Sequence, residues 1–144
     1  MSSDPKKIVS MMYDSDWFSQ WLGIRRISVS AGSCTLKMIA RKEMLNGFGI
    51  LHGGIAFSLA DSALAFASNS HGRKSVSVEA SMTYTGQVTE GEEITAVARE
   101  ASLGNKIAVY HIDVSRGNGD KIAFFKGIVY RTGKSWGEEI LPGQ

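Results

Sequence analysis

The residues best suited to chemistry lie between positions 46 and 61. Asp61 stands in the most apolar stretch of the chain, with Phe57 four residues before it and Leu64 three residues after it. A carboxylate in such surroundings is costly unless it is paired, hydrogen-bonded or in contact with water. The alternative is a structural carboxylate bonded to a neighbouring serine or backbone N–H. Asp61 is therefore the first candidate for a functional residue.

Several polar and small residues precede Asp61, namely Asn46, His52 and the pair Gly53-Gly54. The start of a helix offers unpaired backbone N–H groups and a partial positive charge, which suit a developing oxyanion. Glycine at two successive positions lets a ligand approach the backbone closely. Taken alone, His52 is more typical of a hydrogen-bonded loop histidine, and Asn46-Gly47 is typical of a turn. The spacing of the whole group favours the functional interpretation.

The separation of these groups predicts where a site would assemble. Gly53 and Asp61 are eight residues apart, which is about 12 Å of rise along a helix. A carbonyl held at the Gly53 N–H, an attacking water and an aspartate side chain together span about 8–9 Å. One chain can hardly supply both groups to one carbonyl. We therefore expect a site shared across a two-fold dimer.

Hydrophobic periodicity predicts the elements that position these residues. Between Pro5 and Leu22 apolar residues recur every three or four positions, which predicts one or two short amphipathic helices that end at Gly23. The alanine-rich segment 53–71 is apolar on nearly all sides and predicts one long buried helix. Alternation predicts strands over about 24–30, 34–40, 75–84, 93–102, 107–114 and 121–130. This order predicts an α+β fold in which a helix crosses an antiparallel sheet whose last four strands form a meander.

Length and composition exclude several classes of protein. The chain has 144 residues, which predicts a single domain over 1–144. The 16 Lys+Arg nearly balance the 14 Asp+Glu, so neither composition nor charge supports a nucleic-acid partner. No apolar run approaches the roughly 20 residues of a membrane span, and no signal peptide is recognisable. One cysteine, Cys34, excludes an internal disulfide framework. A cytoplasmic location is expected.

Other catalytic signatures are missing from the sequence. The three histidines, His52, His71 and His111, share no ligand spacing, so we expect no metal. Ser58 lacks the G-x-S-x-G elbow of serine hydrolases. The glycines of segment 47–53 lack the strand-to-helix setting of a dinucleotide loop.

The combined pattern resembles that of a known family. Asn46-Gly47, Leu51-His52-Gly53-Gly54 and Leu59-Ala60-Asp61 are similar to the signature of the hot-dog-fold acyl-CoA thioesterases, in particular the PaaI type linked to phenylacetic acid degradation. Segments 76–79 and 123–127 extend the resemblance over most of the chain. The family fold is an antiparallel sheet wrapped around one long helix. Its dimers join their sheets edge to edge, and PaaI-type members are often tetramers. The resemblance thus implies a homodimer or homotetramer with active sites at the dimer interface.

The resemblance also implies a reaction. The expected substrate is an acyl-CoA, most naturally phenylacetyl-CoA or hydroxyphenylacetyl-CoA, whose thioester is hydrolysed to the free acid and coenzyme A without cofactor or metal. Asp61 would be the general base or the nucleophile, and the Gly53 N–H would polarise the thioester carbonyl. Asn46 and His52 would orient the loop and the thioester, and Ser77 would position the water or Asp61.

The parts that would bind the substrate are less clearly marked. Gly54, Phe57 and Tyr84 are expected to line the acyl group, although core packing explains the two aromatic residues equally well. The family often carries an Arg-Pro pair where this chain has Gly86-Gln87. Which residues would bind the coenzyme A phosphates is therefore left open. Each of the four candidate cations can equally be an ordinary solvated side chain: Arg73, Lys74, Lys106 and Lys134. An aromatic cluster is expected to belong to a docked helix or to a lid over the acyl tunnel: Trp17, Phe18 and Trp21.

Two other functions remain open. A hot-dog enoyl-CoA hydratase or dehydratase would use an acidic residue and a histidine on the β-carbon, so that His52 would be an acid–base residue. A non-catalytic acyl-CoA-binding module would be expected to lack the carboxylate that Asp61 provides. The position of His52 directly before the candidate oxyanion glycine and the presence of Asp61 favour the thioesterase.

Overall fold

A computed structural model describes residues 4–137, so residues 1–3 and 138–144 of the expected domain lie outside it. The described chain forms two short helices, one long helix and a six-stranded antiparallel sheet. The helices are α1 (Pro5–Asp14), α2 (Trp17–Leu22) and α3 (Gly53–Asn69), and the strands are β1 (Arg25–Ser30), β2 (Ser33–Ile39), β3 (Arg73–Tyr84), β4 (Glu93–Leu103), β5 (Ile107–Ser115) and β6 (Lys121–Ser135). A short 3₁₀ turn, Lys42–Met44, lies in the loop before α3. The α+β fold predicted from the sequence is confirmed.

Two N-terminal helices form because each has its own cap. The Asp4 side chain accepts the Lys6 N–H, and the Asp16 side chain accepts the Ser19 N–H, as expected for N-cap residues. Gly23 ends α2 at φ 75°, a left-handed conformation that glycine adopts without a steric penalty. The prediction of one or two short helices that end at this glycine is therefore confirmed, and the structure has two.

The long helix α3 contacts all six strands. Its buried face carries mostly alanine and leucine side chains, with one aromatic ring: Ala56, Leu59, Ala60, Ala63, Leu64, Phe66 and Ala67. It ends at Asn69, slightly before the predicted end at about 71, and the Asn69 side chain then accepts the Ser75 N–H (2.9 Å). Gly72 turns the chain into β3 at φ 103°. The buried central helix is confirmed. It ends earlier than predicted, where the polar Asn69 side chain bonds to the backbone of β3.

The prediction that the last four strands form a meander is wrong for β3. The strand order is β1-β2-β4-β5-β6-β3, so β4, β5 and β6 form a meander while β3 pairs with β6 at the edge of the sheet. Alternation of apolar and polar residues indicates which face of a strand is buried, but it does not indicate which strands lie beside it in the sheet. Segment 85–92 is no hairpin turn, because its Val88 carbonyl accepts the Leu51 N–H (2.8 Å) and thereby joins the loop before α3.

The register of β3 against β6 defines the two faces of the sheet. Ser77 pairs with Val129, which is buried, so Ser77 lies on the helix side of the sheet. Val76 pairs with Tyr130, and Tyr130 also pairs with Ile107; all three are exposed on the outer side. The sheet therefore presents one face to α3 and an apolar row on the other.

Between residues 4 and 137, no helix combines the length and the apolar character needed to cross a membrane.

Candidate active site

Asp61 and Ser77 share a cleft between α3 and the edge strand β3. The cleft has a volume of about 240 Å³, and its other walls are Leu64, Ala65, Ser68, Ser75, Val76 and Val129. Asp61 lies on the exposed side of α3 rather than in the apolar interior. Exposure to water thus lowers the free-energy cost of a carboxylate in an apolar stretch of sequence. The structure therefore brings Asp61 and Ser77 to the same cleft.

The Asp61 carboxylate has no hydrogen-bond or ion-pair partner within the described part of the chain. The alternative interpretation, a structural carboxylate bonded to a neighbouring serine or N–H, is therefore not supported. Partial burial raises the pKa of Asp61, and the negative charge of Asp16 raises it further. A carboxylate with a raised pKa is a stronger base as long as the pH keeps it ionised.

The start of α3 holds a second group of candidate residues. His52 is the N-cap, and its Nδ1 accepts the Gly54 N–H (2.9 Å). The Gly53 N–H, in contrast, has no acceptor among residues 4–137. A free N–H at a helix start can donate to an oxyanion. The structure therefore leaves the Gly53 N–H available at this end of the helix.

Tyr84 packs directly on this glycine. Its hydroxyl donates to the Gly53 carbonyl (2.9 Å). A Cβ at position 53 would lie 3.2 Å from the Tyr84 ring, so a side chain at this position would displace the ring. Tyr84 is half-exposed and touches the helix start rather than the Asp61 cleft. The sequence singled it out as a substrate contact, and the structure places it as a support for Gly53.

Asn46 shapes the loop in front of α3. Its Oδ1 accepts the N–H of Phe48 (2.9 Å) and that of Ile50 (3.4 Å), while its own N–H donates to the Ile50 carbonyl (2.8 Å). The His52 N–H donates to the Met44 carbonyl (2.8 Å). These bonds hold the loop that leads into α3.

A second cleft opens beside the helix start. It has a volume of about 310 Å³ and is lined by Phe18, Glu43, Met44, Leu45, His52, Gly54, Ile55 and Ser58. Gly54, a predicted substrate contact, thus lines this cleft. Phe57 lines neither of the two clefts; its ring packs edge-on against Phe125 with centroids 5.2 Å apart. For Phe57 the structure therefore shows core packing.

The two groups of candidates do not meet in one chain. The carboxylate of Asp61 faces the cleft at β3, whereas His52 and Gly54 face the cleft beside α2. Helix α3 runs without interruption from Gly53 to Asn69, so the rise of about 12 Å expected from Gly53 to Asp61 is retained.

Among the candidate anchors for phosphate, two cations are engaged within the fold. The Arg73 guanidinium donates to the carbonyls of Asn105 (2.7 Å), Arg131 (3.0 Å) and Thr132 (3.1 Å). The Lys74 ammonium lies 4.5 Å from the ring centroid of Trp136. Lys106 and Lys134 are exposed.

Other kinds of catalytic centre have little support. No group of three or more His, Cys, Asp or Glu residues in the described chain could hold a metal ion. Burial raises the pKa of the Cys34 thiol to about 12, so this thiol is not a nucleophile near neutral pH.

Sequence reasoning missed Asp16. Its local signal, an aspartate three residues before Ser19, predicts a helix cap and nothing more. Only the packing of α2 on α3 brings its charge near Asp61.

Comparison with known proteins finds relatives both in sequence and in structure. Residues 48–123 match the model of the family described as "Thioesterase superfamily". A putative esterase from Archaeoglobus fulgidus is 40% identical over 91% of this chain and 85% of its own length. The acyl-coenzyme A thioesterase PaaI from Escherichia coli is 34% identical over 85% of this chain and 87% of its own length. The solved structure of the E. coli PaaI protein superposes with a TM-score of 0.89 at 32% identity, over 91% of this chain and 95% of that one.

Proposed function

The chain belongs to the thioesterase superfamily and has the hot-dog fold of its PaaI type, and we propose that it hydrolyses arylacetyl thioesters of coenzyme A. Phenylacetyl-CoA and hydroxyphenylacetyl-CoA are the proposed substrates, and the free acid and coenzyme A are the products. The observation that carries the proposal is the presence on α3 of two unengaged groups of complementary chemistry, the Gly53 N–H and the Asp61 carboxylate.

Hydrolysis of a thioester requires stabilisation of an oxyanion and delivery of water. The Gly53 N–H donates to the thioester oxygen, and the positive end of α3 stabilises the negative charge that develops there. The Asp61 carboxylate takes a proton from the attacking water, or attacks the carbonyl itself to give an anhydride that water then cleaves. The thiolate of coenzyme A leaves. Neither route requires a metal or a cofactor.

Three side chains support these two groups. His52 caps α3 and Asn46 holds the preceding loop, so both keep the Gly53 N–H in place. Ser77 lies in the cleft of Asp61, and its hydroxyl orients either the water or the carboxylate. Because the Nδ1 of His52 is engaged by the Gly54 N–H, only its Nε2 is left for the acid–base role that a hydratase would require.

The acyl group occupies the apolar cleft beside the helix start. Met44, Leu45 and Ile55 line this cleft together with Phe18, whose ring stacks on Trp21 with centroids 6.1 Å apart. Flat aromatic walls suit an aromatic acyl group, because aromatic rings pack well edge-on or offset-stacked. The solved E. coli relative comes from the phenylacetic acid degradation operon, which supports the same choice of substrate.

A homodimer, with sites at its interface, brings the two groups of candidates together. β3 is an edge strand and carries exposed Val76 and Val78, and exposed edge strands readily pair with a second strand. The cleft of Asp61 lies beside this edge, where the partner's Gly53 can reach it. The apolar row of Val76, Tyr130 and Ile107 on the outer face of the sheet suits a further contact between dimers. The full proposal is a single-domain, cytoplasmic homodimer or homotetramer.

The test is release of free thiol from a panel of thioesters. The panel contains phenylacetyl-, hydroxyphenylacetyl-, benzoyl-, short-chain and long-chain acyl-CoA. Asp61→Asn keeps the shape of the side chain but cannot act as a base, and we expect it to lower the rate by a factor of about 10² or more. Asp14→Asn, which removes the same charge from the exposed end of α1, is the matched control and should keep the wild-type rate.

Each part of the proposal can fail separately. Wild-type protein that binds coenzyme A derivatives but releases no thiol from any of them would be a binding module. Loss of the double bond of an enoyl-CoA without release of thiol would favour the hydratase. Preference for a long-chain substrate would contradict the arylacetyl assignment and leave the thioesterase in place.

A further inference from the structure

A buried chain of hydroxyl groups links α2 to the turn of α3 that carries Asp61. The Asp16 carboxylate accepts the Ser19 N–H (3.0 Å) and the Ser19 hydroxyl (2.7 Å). The Ser19 Oγ also lies 2.8 Å from the Ser62 Oγ, and Ser62 follows Asp61 directly. Ser19 is 1% exposed and Ser62 is 8% exposed. The link is therefore shielded from water along most of its length.

The direction of each hydrogen bond follows from the carboxylate. An ionised aspartate can only accept, so the Ser19 hydroxyl donates its hydrogen to Asp16. The Ser62 hydroxyl then donates to the Ser19 oxygen. Each member has one defined role, and a fully satisfied buried network of this kind is rigid. The link thus fixes the position of Asp16 relative to α3.

Asp16 is the charged side chain within the described chain that acts on Asp61. The cleft of Asp61 receives Ser75, Val76 and Ser77 from β3 and Val129 from β6, and all four are neutral. Asp16 is the N-cap of α2. Burial raises the pKa of Asp61 most, and the negative charge of Asp16 raises it further. Like charges in a partly buried setting disfavour ionisation.

We propose that Asp16, held by its link through Ser19 to Ser62, is a positioning residue that sets the basicity of Asp61. The inference rests on the proposed function, in which Asp61 is the base or the nucleophile. Asp16 itself touches neither the substrate nor the water. Its negative charge acts on the carboxylate of Asp61.

Asp16→Asn separates the charge of Asp16 from its role as a helix cap. Asparagine caps a helix about as well as aspartate, so α2 keeps its position while the charge is lost. We expect the acid limb of the kcat/KM profile on phenylacetyl-CoA to move to lower pH. Asp14→Asn removes an equal charge from the neighbouring helix end and should leave the acid limb where it is in the wild type. An unshifted acid limb in an active Asp16→Asn enzyme would overturn the proposal.

A second measurement does not depend on activity. Titration of the Asp61 carboxyl by ¹³C NMR, assigned by comparison with Asp61→Asn, should show that Asp61 ionises at lower pH in Asp16→Asn than in the wild type. Identical titrations would overturn the inference. A shifted titration in a protein that hydrolyses no thioester would support the role of Asp16 and contradict the proposed function, so the two failures are distinguishable.

Discussion

The hydroxyl of Tyr84 donates a hydrogen bond of 2.9 Å to the carbonyl oxygen of Gly53, and thus ties the last residue of β3 to the first residue of α3. Partial burial raises the pKa of Tyr84, so the hydroxyl keeps its proton and remains a donor. The same ring occupies the space next to the glycine, 3.2 Å from the position of a Cβ. One edge strand therefore contacts Gly53 through Tyr84 and lines the cleft of Asp61 through Ser77.

Tyr84→Phe should leave the Gly53 N–H, the proposed oxyanion donor, less firmly held. A neutral hydrogen bond contributes about 1 kcal/mol, and if the transition state loses the same amount, kcat falls about fivefold. Steady-state kinetics on phenylacetyl-CoA measures the change. Tyr13→Phe is the matched control, because the Tyr13 hydroxyl donates to the Ile24 carbonyl at the same length, 2.9 Å, far from Gly53 in sequence. Equal kcat values for the two variants would contradict the role of Tyr84.

Asp61→Asn should raise the melting temperature at neutral pH. Because the pKa of Asp61 is raised in the folded state, the folded protein binds this proton more tightly than the unfolded chain does. The resulting stability is present below the unfolded pKa of about 3.9 and is lost as the pH rises through the folded pKa. Thermal unfolding at pH 7 and at successively lower pH should therefore show a gain at pH 7 that shrinks towards acid pH. A lower melting temperature at pH 7 would show that the carboxylate stabilises the fold.

Glu92→Gln should have the opposite pH dependence. Hydrogen bonds from Arg116 (both 2.9 Å) and from the Thr89 N–H (2.7 Å) lower the pKa of Glu92 to about 2. Its contribution to stability is thus present above the ordinary value of 4.5 and is lost as the pH falls towards about 2. We expect a lower melting temperature for the variant at pH 7 and a difference that shrinks as the pH falls towards about 2. Glu90→Gln, at an exposed neighbouring position, should match the wild type at both values.

The sequence predicted those parts of the fold that depend on local patterns. The alanine-rich segment 53–71 predicts a helix that starts at Gly53, and α3 begins there. Gly23 marks the end of α2, and the helix ends there. The position of β3 beside β6 could not be predicted, because it depends on how 85–92 crosses to β4, and this path is set by the long-range bond from Leu51 to Val88. Local periodicity contains no information on such a bond.

The same distinction applies to the site. Residue type and spacing identify Asp61 and Gly53 as candidates, and the uninterrupted α3 preserves their separation. The support that Tyr84 gives to Gly53 and the charge that Asp16 places near Asp61 arise only when β3 and α2 pack against α3. The spacing of residues in the sequence predicts neither contact.

The shared site leads to a complementation prediction that begins with Gly53→Pro. Proline is favoured at the first position of a helix, where it removes only an unpaired N–H, and the extended backbone of His52 (φ −62°, ψ 135°) is the one that precedes proline. Gly53→Ala adds the same Cβ against the Tyr84 ring but keeps the N–H, so it controls for crowding. We expect the proline variant to fall below the alanine variant by about 10² to 10³ in kcat, the usual effect of one oxyanion donor.

Mixing Gly53→Pro chains with Asp61→Asn chains should then restore activity. In a two-fold dimer whose sites each take Gly53 from one chain and Asp61 from the other, the mixed dimer has one site with both defects and one site with neither. Random pairing of equal amounts makes half of the dimers mixed, so about a quarter of the wild-type activity per chain should return. Dissociation and reassociation of the two purified variants, followed by thiol release from phenylacetyl-CoA, measures this recovery. If each chain held a complete site, every site in the mixture would carry one defect, and the activity would stay at the sum of the two inactive variants.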